Sequence, residues 1–236
     1  MAQSVGNAKN ILIGASPLFL SNVDINDADY IANAEAGAVI ASAANTVGVP
    51  AFAAGASYAD TLNGVTQTAG LFGYRNVGFT NNGLQITYNP TFDSVTVDQL
   101  LDTAKLFKSA MEVMIATEMS EGTLENIVTV FGQSASSLGA VTGSSTTTKQ
   151  VLGLAAGSLG QAPTERQLIA IGQAPTATST ASERVYYARR VLSVQQSQHS
   201  LARTTATTFP VTFRLLPDAN YSGSEYGKII DRVLVV

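Results

Sequence analysis

The chain has 236 residues, only 13% of them charged, a formal net charge of −4, and neither cysteine nor tryptophan. That length can bury a sizeable core as one domain, residues 1–236. The missing cysteine excludes a disulfide framework or a thiolate metal site and fits folding in a reducing cytoplasm. A free soluble domain carries about a quarter charged residues, so the low charge here, with a mean hydropathy of +0.17, points to surface covered by further copies of the same chain.

Lys9–Ser21 places one lysine before a short apolar run that Pro17 interrupts, with no small-residue cleavage site after it. It reads as a first strand at Ile11–Ile13, bent near Pro17, and not as a signal peptide. Asp24–Gly73 is different in kind. Ala36–Ala59 carries no charge, but alanine and glycine dominate it, and Asn45, Thr46 and Pro50 interrupt it. A membrane span needs about 20 mostly large apolar residues, so none is expected. Tyr30–Thr46 could form a helix ended by Gly48 and Pro50. The favoured reading is a long arm packed on a neighbouring copy, because long loops in compact domains are usually functional.

Asn81-Asn82-Gly83 predicts a hairpin turn, since Asn and Gly accept positive φ. Gly83–Leu100 reads as strands: Leu84, Ile86 and Tyr88 alternate with polar residues, and Val95 and Val97 resume the alternation after Pro90. Leu106–Met119 is another extended run. In Ser120–Gly132 the period changes, with Leu124, Ile127, Val128 and Phe131 on one helical face. Ser120 is the expected N-cap, Glu121 and Glu125 suit the positive helix end, and Gly132 is the stop.

Gln133–Thr148 and Gln173–Glu183 read as flexible loops. Between them, Gln150–Leu159 and Arg166–Gly172 are expected as short strands around a turn at Gln161–Glu165. Arg184–Leu201 could be helix or strand; its β-branched and aromatic residues favour strand. Ala202–Phe213 would be its antiparallel neighbour. About ten short strands and one helix predict a mainly β fold: a β-sandwich or partly closed barrel with one flanking α-helix and long hairpin or arm insertions.

Signals of chemistry are few, and no catalytic, cofactor-binding or metal-binding residue is assigned. His199 is the single histidine and reads as a surface or strand residue. Gly157-Ser158-Leu159-Gly160 lacks the spacing of a hydrolase nucleophile elbow. Gly223–Lys228 has three residues between its glycines where a phosphate loop has four, and Ile229 stands where Ser or Thr would hold magnesium. Asp24–Asp29 is similar to a calcium loop, but Ala28 occupies a ligand position and the required glycine is missing. Asn220-Tyr221-Ser222 is a sequon, without meaning if the protein is made in a bacterium. Residues 1–148 carry 12 acidic and 4 basic side chains, and residues 149–236 carry 5 and 9. Such asymmetry suits head-to-tail contact between copies. Asp24, Asp27 and Asp29 against Arg189 and Arg190 are the candidates. The acidic pI, about 4.9, argues against a nucleic-acid reader built on Arg184, Arg189, Arg190, Arg203 and Arg214.

The run TEMSEGTLENI (Thr117–Ile127), set between strands and a short helix, resembles the tail tube (major tail) proteins of tailed bacteriophages. So does Thr208–Val236, where a proline-started strand gives way to a polar loop, a Tyr-Gly-Lys turn and a last strand. With the order of strands and helix in Gly83–Gly132 that surrounds the first run, the resemblance covers roughly the middle fifth and the final eighth of the chain. The resemblance implies a virion protein assembled in the host cytoplasm. Copies would form hexameric rings that stack head to tail, with hairpins joining into one β-barrel around a lumen. Genomic dsDNA would pass through without specific binding, and sheath, baseplate and tail terminator proteins would be further partners. A conduit needs a lumen poor in Lys and Arg, which makes Asp93, Asp98, Glu112 and Glu118 lumen-facing candidates. Other expectations are a tail terminator or connector that stops at one ring, or a β-sandwich binding module, which the scarcity of aromatic residues disfavours.

Overall fold

The computed structural model describes residues 16–21, 61–62, 65–66, 74–134, 137–141, 149–160, 162–174, 182–195, 197–199, 201, 203–204 and 206–233. Its strands are β1 (Leu18–Ser21), β2 (Thr61–Leu62), β3 (Val65–Thr66), β4 (Tyr74–Asn76), β5 (Thr80–Thr96), β6 (Thr103–Met119), β7 (Leu138–Val141), β8 (Lys149–Leu152), β9 (Arg166–Gln173), β10 (Ser182–Ser193), β11 (Phe209–Leu215) and β12 (Gly227–Val233). One helix, α1 (Leu124–Val130), follows β6.

The main sheet is antiparallel, ordered β4-β1-β9-β10-β11-β6-β5, and β12 also pairs with β10. It is not closed into a barrel. The partly closed barrel of the sequence reading is therefore corrected to an open, forked sheet. Two small hairpins, β2–β3 and β7–β8, stand apart from it. The fork arises along β10: residues 182–188 pair with β12, while residues 191–193 pair with β11. Between these halves the β10–β9 register shifts at Ala188–Val191, the local kink and twist of a bulge.

β9 reads Leu168-Ile169-Ala170-Ile171 without alternation because both of its faces are covered. Leu168 and Ala170 join Leu18, Leu20, Val191, Phe213 and Val130 in one cluster. Ile169 and Ile171 join Phe19, Val185 and Tyr187 in the other. Pro17 immediately precedes β1, and the strand expected at Ile11–Ile13 lies outside the described residues, as does most of Asp24–Gly73.

Helix α1 starts three residues later than expected. Thr123, not Ser120, is the N-cap, its hydroxyl accepting from the Asn126 amide at 3.3 Å. Glu121 lies outside the helix and accepts from the Phe79 amide at 3.0 Å. The buried positions are Asn126, Val128, Thr129 and Val130, and Phe131 is exposed. The helix turns Asn126 inward because its side-chain amide donates to Val77 O and Glu121 O, both at 2.9 Å. Gly132 stops the helix at φ 65°, as expected. Leu138–Val141, read as loop, pairs with β8, whereas the expected strand Gln150–Leu159 ends at Leu152. The strand expected over Arg184–Leu201 is found as β10, which begins at Ser182 and ends at Ser193.

Asn126→Ala would strip two carbonyls of their donor beneath the helix. It is expected to cost about 1–3 kcal/mol of folding stability, read as a lower urea midpoint at unchanged slope.

Candidate functional site

β5 and β6 are 17 residues each, against a usual strand length of about 5–6. β11 pairs with β6 only over Met114–Met119. Outward from there, β6 has β5 alone as its neighbour, so the two strands leave the sheet as a ribbon. It reverses at Val97–Asp102, which contains neither Gly, Pro nor Asn. The expected turn at Asn81-Asn82-Gly83 does not reverse the chain. Asn82 and Gly83 adopt φ 59° and 67° inside β5, where the β6 register shifts between Asn81 and Gln85. Positive φ serves a bulge as well as a turn. The Thr117 hydroxyl donates to Gly83 O at 2.8 Å and fastens the bulge. Pro90 is tolerated because β5 is an edge strand.

Register assigns the ribbon's two faces. Ile86, Tyr88, Pro90 and Phe92 stand opposite Ile115, Val113, Met111 and Lys108, forming an apolar face continuous with the core at its base. A second shift, between Thr91 and Phe92, keeps Leu106 on that face. Gln85, Thr87, Asn89, Thr91 and Asp93 form the other face with Lys105, Phe107, Ala110, Glu112 and Ala116. It is the more polar of the two: β5 is polar there up to Asp93, while Val95, Phe107 and Met114 on the same face are apolar. Beyond the core the apolar face is open: Tyr88 is 65% exposed, Phe92 57% and Leu106 64%, while Leu101 at the turn is fully exposed. Together with Ile86 and Leu100 these side chains offer roughly 800 Å² of surface, at about 200 Å² per large side chain, comparable with one side of a standard protein interface.

At the ribbon's base, the fork between β12 and β11 leaves an apolar cleft of about 220 Å³, lined among others by Ile86, Tyr88, Tyr186, Leu215, Tyr226 and Ile229. Its walls are held from three sides. Arg184 grips Asp231 with Nε and Nη2 at 2.6 and 2.7 Å, tying β10 to β12 and holding the Asp231 carboxyl below its usual range. The Arg189 guanidinium, 2% exposed, lies 3.6 Å from the Tyr221 ring centroid and donates to Ser224 O at 3.0 Å. It fixes the turn before β12. In that turn the Glu225 carboxylate accepts from the Gly223 amide at 2.8 Å, which lowers its pKa. The phosphate-loop-like segment thus binds its own carboxylate.

Of the acidic candidates, Asp93, Glu112 and Glu118 share the face turned away from the core, where Glu112 pairs with Arg214 at 3.6 Å. Asp98 lies in the terminal turn instead. Asp24, Asp27 and Asp29 lie outside the described residues. Arg189 and Arg190, read as intersubunit candidates, are engaged within the chain, Arg190 by a bidentate pair with Glu165 at 2.6 and 2.9 Å. A sequence cannot show this, because the partners lie 25–35 residues away. The sequence reading also missed Phe92, Leu106, Leu100 and Leu101 as surface. The length of two uninterrupted strands was the available signal.

His199 packs between Phe131 and Phe209, at 6.3 and 4.8 Å between ring centroids. Among the described residues no group of three His, Asp or Glu side chains could hold a metal, and no helix is long and apolar enough to cross a membrane. No protein-family model matches the chain, and no curated protein matches it as a relative.

Joining Thr91 to Ala110 by a two-residue Asn-Gly turn would remove the outer ribbon. The body is expected to fold with stability within about 1 kcal/mol of the full chain, because the removed side chains lie outside its core, as a thermal melt would show. Asp231→Asn is expected to lower stability at pH 7 by about 0.2–1 kcal/mol, the range for exposed pairs. The depressed Asp231 pKa contributes stability above the unfolded value near 3.9, and this is lost as pH falls through the folded value. The two proteins should therefore converge in urea titrations as the pH falls below the folded value.

Proposed function

We propose that the chain is a structural subunit that assembles with copies of itself into stacked rings, forming a tube of the phage-tail kind through which DNA passes. The observation that carries this reading is the amphipathic ribbon. An isolated two-stranded ribbon is only marginally stable in water. One built from two 17-residue strands and unsupported by β11 beyond Met114, with an open edge and an uncovered apolar face, invites pairing with another chain. Ring closure would pair the open β5 edge and cover the apolar face, leaving the polar one on the other side.

That polar face suits a conduit for a polyanion. It offers Gln85, Thr87, Asn89 and Thr91, the carboxylates of Asp93, Glu112 and Glu118, and few cations, of which Arg214 is already paired with Glu112. Fixed Lys and Arg contacts would grip phosphates. The low overall charge fits a surface mostly buried in an assembly.

The test is electron microscopy of the purified chain, first in negative stain and then as a helical reconstruction. Hollow tubes with Asp93, Glu112 and Glu118 lining the lumen are expected. A chain that stays monomeric at all concentrations, or tubes with these carboxylates on the outside, would overturn the reading.

A further inference from the structure

Resting on the self-assembly reading, we propose that the Leu100–Leu101 turn of one copy seats in the apolar cleft at the ribbon base of another. The cleft and the turn match in chemistry. A cavity of about 150 Å³ lined by apolar side chains accommodates a benzene ring, so 220 Å³ accommodates leucine side chains. The turn presents two of them, Leu100 57% exposed and Leu101 fully exposed.

Charge agrees with shape. Asp98 and Asp102, both exposed, bracket the leucine pair. No carboxylate lines the cleft, and Lys228 contributes to its wall. Lys108 Nζ lies over Tyr88, one of the lining residues, 5.6 Å from its ring centroid. Two acids around an apolar knob thus meet two bases around an apolar socket. Complementarity of this kind sets orientation and speeds encounter.

Reach decides that the partner is a second copy. Ten residues separate Tyr88 from Asp98, and a strand rises about 3.3 Å per residue, so the turn stands roughly 30 Å from its own cleft. A knob and a socket at different places on one chain can join head to tail, a heterologous contact that propagates into rings or filaments, as the self-assembly reading requires.

The absence of native cysteine allows a clean cross-linking test. Chains carrying Leu101→Cys and chains carrying Ile229→Cys are mixed under mild oxidation. A disulfide-linked dimer of twice 24.5 kDa is expected in the mixture and not from either chain alone. Failure to form it at concentrations where the unaltered chain assembles would overturn the proposal. So would equally fast linkage of Leu101→Cys chains to one another. Leu100→Asp with Leu101→Asp, both in an exposed turn, gives a second measurement by sedimentation velocity: loss of assembly with an unchanged far-UV spectrum is expected. Assembly at the unaltered level would remove the knob-and-socket contact and leave self-assembly standing, whereas an unaltered chain that never assembles would remove both.

Discussion

A two-stranded ribbon leaves the sheet beyond Met114 and carries a row of apolar side chains that no other described part of the chain covers. Burial of such surface is the main favourable term in folding and in most association. Within one chain it is not achieved here. Tyr88, Phe92 and Leu106 stand on the same face as buried Val113 and Ile115, so the core surface simply continues past the edge of the body. The rest of the molecule holds this ribbon at a fixed angle. Met114–Met119 is clamped by β11, the bulge at Asn82-Gly83 is tied by Thr117, and the Tyr226 hydroxyl reaches Met111 O at 3.5 Å.

The body explains why the ribbon is presented in this way. Both faces of β1 and β9 are covered, which makes the sheet centre a rigid support. The fork along β10 separates β12 from β11 and opens the cleft beside the ribbon base. Arg184 with Asp231, and Arg189 with Tyr221 and Ser224, keep that fork open by fastening β12 and its preceding turn. Arg189 and Arg190, which a surface view would assign to neighbours, therefore act inside the chain.

Much of this architecture was legible in the sequence. The alternation of Ile86 and Tyr88, the strand character of Arg184–Ser193, the helix between Met119 and Gly132 and its stop all follow from periodicity and propensity. The misplacements share a physical cause: local signals were satisfied in more than one way. Asn-Gly meets the demand for positive φ at a turn or a bulge, and only pairing with β6 decides between them. Ser120 and Thr123 are both good N-caps, and the choice follows from Asn126 reaching Val77 O, 49 residues away. The true reversal at Val97–Asp102 has no Gly, Pro or Asn, only Asp98 and Asp102, so the local signal for it was weak. The cleft depends on strands from three separate parts of the chain, and the burial of Arg189 depends on a turn 35 residues later.

If the ribbon exists to be covered by other copies, its backbone should register that event before any image of an assembly is needed. Hydrogen exchange of the chain, followed from dilute to concentrated solution, measures it directly. Amides of residues 86–108 are expected to gain protection steeply with concentration, while those of β9 and β10 stay protected throughout. Ribbon amides that exchange at the same rate at every concentration would contradict an assembly role for this surface.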